Sequence, residues 1–136
     1  MKRVWVGVVT AGVFLAGAGT AVAAGWNDLE DMGVKGVSFS EGKYRFHPAG
    51  RNHGAFEWSG RLQDVATRDR HNVYMQVRVE GHGPVRYNGK QGRSVSLHGF
   101  NWDGAQQYTD DAYLRVCVDR GAARMDLCSE ERHYKK

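Results

Sequence analysis

The chain carries none of the short motifs that announce familiar chemistry. It has no G-x-S-x-G elbow, no phosphate-binding glycine loop, no dinucleotide fingerprint and no H-E-x-x-H pair. It has no Cys-X-X-Cys either, so the usual redox dithiol is excluded along with paired Cys/His zinc spacings. Proline is scarce, with Pro48 and Pro84 the only two, and there is no internal repeat or low-complexity tract. Helical periodicity is nearly absent after residue 24. Only Asn27 to Met32 reads as a single helical turn, with Asn27 as cap and Glu30 three residues on.

One long apolar run is present, at the start. Lys2 and Arg3 precede an uncharged stretch from Val4 to Ala24 that ends in Ala21-Val22-Ala23, an A-x-A cleavage pattern. The run is about long enough to span a bilayer. Its second half is Ala, Gly and Thr, however, and the next charges are the acidic Asp28, Glu30 and Asp31 rather than a basic stop-transfer cluster. The expectation is a cleavable signal peptide over 1–24, a mature domain over 25–136, and secretion to the extracellular space. With the leader go Lys2 and Arg3, which lowers the formal charge from +4 to +2. The remaining Arg and Lys are scattered among Asp and Glu, so nucleic-acid binding is not favoured.

About 110 mature residues form one domain with a core of modest size. Period-two alternation marks its strands. Phe56, Trp58 and Leu62 share one parity; Val73, Met75, Val77 and Val79 alternate with Tyr74, Gln76, Arg78 and Glu80; Leu114, Val116 and Val118 alternate with Tyr113, Arg115, Cys117 and Asp119. Weaker runs lie at Val34–Phe39, Lys43–His47, Val85–Tyr87 and Ser94–Trp102. In the last, the apolar phase changes at Gly99, which predicts a bulge there. Asn88-Gly89 suits a tight turn, alone or within an Asn88–Arg93 loop. The fold class is all-β: an antiparallel β-sandwich, Ig-like or similar, of about seven to eight short strands with one hairpin disulfide.

That disulfide follows from register. A four-residue loop at Gly121–Arg124 sets Cys117 opposite Cys128 and Val118 opposite Leu127, so the apolar pair faces the core while the cysteines meet on the other face. The same register sets Arg115 against Glu130, and Asp119 against Asp126, to be relieved by Arg120 or Arg124. An even cysteine count in an exported chain supports a structural bond, contributing about 2–3 kcal/mol across so short a loop.

For chemistry, the histidines His47, His53, His71, His82, His98 and His133 read as solvent-exposed rather than as metal ligands. Glu57 and Asp64 fall on opposite parities of one strand and do not share a face. The loop Gln106–Asp111 reads as a solvated turn, with calcium binding through Asp103 or Asp119 as a weaker alternative. No catalytic residue, metal or cofactor is expected. Phe56, Trp58, Phe100 and Trp102 are expected to build the core. Tyr74 and Tyr113 point outward beside Arg78 and Arg115, and a second sheet or loop packing over them is the favoured reading. If their strands are neighbours and stay open, the four form a candidate ligand-binding patch for a sugar or an anionic group.

The segments Trp58–Asp64, Val73–Val79 and Tyr113–Cys117, with Asp69 and Cys128, resemble small secreted proteins of actinobacteria that lack an assigned function. The resemblance implies a secreted all-β domain and brings no catalytic residue. The favoured function is a non-catalytic extracellular binding or interaction module, for a cell-surface glycan or a secreted protein. Alternatives are a small secreted hydrolase using loop carboxylates and histidines, and a protease inhibitor presenting the Arg120–Arg124 tip.

Overall fold

The computed structural model describes residues 25–104 and 108–136. The signal-peptide reading of 1–24 lies outside the described residues, as do Gln106 and Gln107 of the polar loop. The strands are β1 (Asn27–Leu29), β2 (Met32–Val34), β3 (Val37–Phe46), β4 (Phe56–Asp64), β5 (Asn72–Val79), β6 (Val85–Asn88), β7 (Ser94–Asn101), β8 (Asp111–Asp119), β9 (Leu127–Cys128) and β10 (Arg132–Lys135), and the three clearly alternating runs fall in β4, β5 and β8. They form two antiparallel sheets among the described residues. In the first, β1 and β2 pair in turn along β3, followed by β4 and β7; in the second, β9 and β10 pair along β8, followed by β5 and β6. The seven principal strands lie as β3-β4-β7 over β6-β5-β8-β10. That order is the A-B-E over C′-C-F-G arrangement of Ig-like sandwiches, with the disulfide joining F to G rather than B to F.

The inner faces supply the core. Phe39, Phe56, Trp58 and Leu62 from the first sheet meet Val73, Met75, Val77, Leu114 and Val116 from the second, all almost wholly removed from water. The Trp58 indole packs edge-on against Phe39 and Tyr87. Its N–H donates to Asn101 Oδ1 at 2.9 Å, and the Asn101 amide donates to the Tyr87 hydroxyl at 3.0 Å. A buried indole N–H thus finds a partner, and the same chain of bonds ties β4 and β7 to β6 of the opposite sheet.

Several local expectations are corrected. Asn27–Leu29 is a strand rather than a helical turn, because pairing with Gly42–Tyr44 gives its backbone partners that a lone turn lacks. The runs at Val34–Phe39 and Lys43–His47 do not make separate strands. Apart from Val34, which ends β2, their strand residues lie in β3, bent by a register shift between Ser40 and Lys43 where Glu41 adopts φ 55°. No bulge occurs at Gly99, since the β4–β7 ladder runs without a shift from Phe56↔Asn101 to Gln63↔Ser94. Gly99 is there because the indole lies against it: a Cβ would sit 2.7 Å from Trp58 Nε1. Phe100 consequently stays on the outer face at 40% exposure, and Trp102 lies beyond the strand, stacked on His53; neither is in the core. The polar Asn101 takes the inner position. Asn88-Gly89 closes no hairpin, because β6 and β7 belong to different sheets.

The cysteine hairpin has the expected register, Cys117↔Cys128 and Val118↔Leu127, and the bond is formed. Beyond it the ladder slips by one residue, to Arg132↔Leu114. Arg115 therefore donates to Gln76 at 2.7 Å, while the neighbouring Glu131 pairs with Arg78 at 3.1 Å. The two aspartates are relieved by other partners than expected: Asp119 by Arg86 at 2.9 Å, and Asp126 by the Tyr74 hydroxyl.

Candidate functional site

The most densely bonded polar cluster lies on the outer face of the first sheet. β3 and β4 form a hairpin closed by the loop at 48–54, at whose base the His47 N–H donates to Ala55 O. Its register sets Arg45 directly opposite Glu57, and Glu57 in turn opposite Phe100 of β7. Glu57 is only 4% exposed although it points away from the core. One carboxylate oxygen accepts from Arg45 Nε at 2.9 Å and from His47 Nε2 at 2.8 Å; the other takes His98 Nε2 at 2.6 Å. Burial alone raises the carboxyl group's pKa, but bonds from His98, His47 and Arg45 outweigh it and hold Glu57 below the usual carboxylate range. His47 Nδ1 accepts from the Asn52 amide at 3.3 Å, which leaves the ring proton on Nε2 for Glu57. Asn52 and His53 reach their places through left-handed backbone, φ 49° and 60°.

Beside this cluster is an open groove of about 780 Å³ between the ends of β1, β3 and β10 and the loop after β3. Its cations are Arg45, Arg51, Lys135 and Lys136, with His47 beside them, and among the described residues no carboxylate side chain lines it. Arg45 is committed to Glu57 and stacks over the Trp26 ring at 4.2 Å, and Lys136 Nζ donates to His47 O at 3.2 Å. Arg51 and Lys135 are exposed, and neither has an ion pair within the described residues. The arrangement presents positive charge along one open groove, which suits a carboxylate, phosphate or sulfate.

The four residues singled out from the sequence are brought together, for β5 and β8 are neighbours with Arg78↔Tyr113 and Gln76↔Arg115 in register. Their ring faces are nevertheless occupied. Tyr113 is sandwiched between the Arg78 guanidinium at 3.9 Å and the His133 ring at 4.3 Å. Tyr74 is buried under the β9 hairpin, has Arg86 over its ring at 3.8 Å, and donates its hydroxyl to Asp126. Burial, then that bond, push the Tyr74 phenol up to about 12. The outer face of the second sheet is a self-satisfied lattice with no open stacking surface on either tyrosine.

The expectation of solvent-exposed histidines fails for His47, which is buried at 6%, and the Glu57 cluster went unrecognised. The signal was available. Counting outward from a loop at 48–54, as for the cysteine hairpin, sets His47 against Ala55 and Arg45 against Glu57. Comparison with protein families, with curated proteins and with solved structures finds no match for this chain.

Proposed function

We propose that this protein is an exported, non-catalytic binding module that captures an anionic ligand in the groove between β1, β3 and β10. The observation that carries the reading is the groove itself: several cations and, among the described residues, no lining carboxylate side chain and no ion-pair partner for Arg51 and Lys135. The formed disulfide fits an oxidising compartment. Among the described residues no helix is long and apolar enough to cross a membrane. Cleavage ahead of Gly25, which lines the groove, would set a new α-ammonium at its wall. The resemblance to small secreted actinobacterial proteins agrees with export. A hydrolytic reading gains less support. Both oxygens of Glu57 are held by side-chain donors, and among the described residues no nucleophilic side chain bonds to His98 or His47.

Titration of the mature protein with polyglutamate, polygalacturonate and inorganic polyphosphate tests the reading. The wild type is expected to bind at least one of them, and to release it as salt rises. The double variant Arg51→Glu/Lys135→Glu is expected to bind about 100-fold more weakly, the scale of losing two charge-assisted contacts. Unchanged affinity in the double variant, or no binding to any polyanion by the wild type, would remove the groove as the ligand site.

A further inference from the structure

The outer face of the first sheet continues the groove in a form that specifies more than charge. The β3–β4 and β4–β7 registers align Arg45, Glu57 and Phe100 in one row across the strands. Trp26, one residue before β1, reaches this row through its contact with Arg45. The aromatic residues at the two ends are each 40% exposed, and the charged pair between them is partly or wholly covered. Three strand spacings separate the ends, about 14 Å. Arg45 belongs both to the row and to the groove, and His47 lines the groove while stacking on Phe100 at 5.9 Å, so the two surfaces are continuous. Further along the same face, a shallow hollow of about 210 Å³ includes Ser59, opposite His98 in the ladder, and Ser96.

Resting on the groove reading, we infer that the ligand is an acidic polysaccharide, whose carboxylates sit in the groove while its sugar rings lie across the Trp26–Phe100 row. A pyranose has an apolar C–H face and a rim of hydroxyls. It matches a surface whose two end rings are backed by Arg45 and by His47 and His98 yet, unlike the buried Tyr74, remain 40% exposed, with serine hydroxyls further along the face. A protein partner or a membrane calls instead for contiguous apolar area, which a row interrupted by an ion pair does not offer. Single-stranded nucleic acid calls for rings spaced to take successive bases, and here no exposed ring stands between the two ends of the row. His98, with its side chain 54% exposed and one nitrogen anchored on Glu57, stands beside Phe100 as a fixed polar contact for a sugar hydroxyl.

The test uses the mature protein and four probes: polygalacturonate, polyglutamate as a polyanion without sugar rings, neutral dextran, and poly(dT). Polygalacturonate is expected to bind more tightly than polyglutamate, and dextran weakly or not at all. Phe100→Ala and Trp26→Ala, both at exposed positions, are each expected to weaken polygalacturonate about 3- to 10-fold, the scale of one aromatic contact, and to leave polyglutamate unchanged. Equal loss for both polymers would mean the rings only support the groove, and no loss would mean they touch no ligand; either overturns the inference. Tighter binding of poly(dT) than of polygalacturonate also overturns it. The groove reading fails separately, if Arg51→Glu/Lys135→Glu leaves polyglutamate binding intact.

Discussion

Glu57→Gln is expected to destabilise the fold by about 3 kcal/mol at neutral pH, although the side chain lies outside the hydrophobic core. The amide keeps the shape but removes the charge that satisfies Arg45, His47 and His98 at once. Two of those partners are largely covered, so water cannot fully replace the carboxylate. The acid dependence has a defined sign. Because the folded-state pKa of Glu57 is lowered, its contribution is complete above the unfolded value of about 4.3 and is lost as pH falls through the folded value. Urea denaturation of wild type and variant should therefore differ most near neutrality and converge in acid. Equal stability at pH 7 would show that the cluster contributes nothing to folding.

The largest expected effect belongs to Trp58→Ala, at about 4–5 kcal/mol. The indole is fully buried between the sheets, so its removal leaves a cavity lined by Phe39 and Tyr87. It also leaves Asn101 Oδ1 without its donor, inside a bonded chain that reaches the opposite sheet. A domain of this size has only about 5–15 kcal/mol in total, so the variant should be close to unfolding at ambient temperature. Trp58→Phe separates the two causes. It fills most of the space but leaves Asn101 unpaired, and is expected to cost about 1–3 kcal/mol. Circular dichroism during urea titration measures both; a cost below about 1 kcal/mol for the alanine variant would contradict the packing described above.

The strands and the disulfide were legible because each rests on short-range constraints. Alternation in Val73–Val79 and Leu114–Val118 needs only neighbouring residues, and the Cys117–Cys128 register needs one loop and two parities. What could not be read locally depends on partners far along the chain. Gly99 looks like a bulge until Trp58, 41 positions earlier, is found lying against it. By its hydrophobicity Phe100 reads as a core residue. It faces outward because Asn101 holds the inner position through its bond to Trp58. The same separation hid the candidate site, since His98 reaches Glu57 only after β7 pairs with β4. Tyr74 and Tyr113 do lie beside Arg78 and Arg115, and covered rings are what the sequence favours, but that Arg86 and His133 are the groups over them depends on β6 and β10 taking their places.

The claim that the groove is the ligand site is tested most directly by mapping an acidic oligosaccharide onto the isotope-labelled mature protein by NMR. Shift changes are expected to centre on Arg51, Asn52, His47 and Lys135, with a tail toward Phe100 and His98. Changes centred on Arg78, Tyr113 and Arg115, or none at saturating ligand, would contradict it.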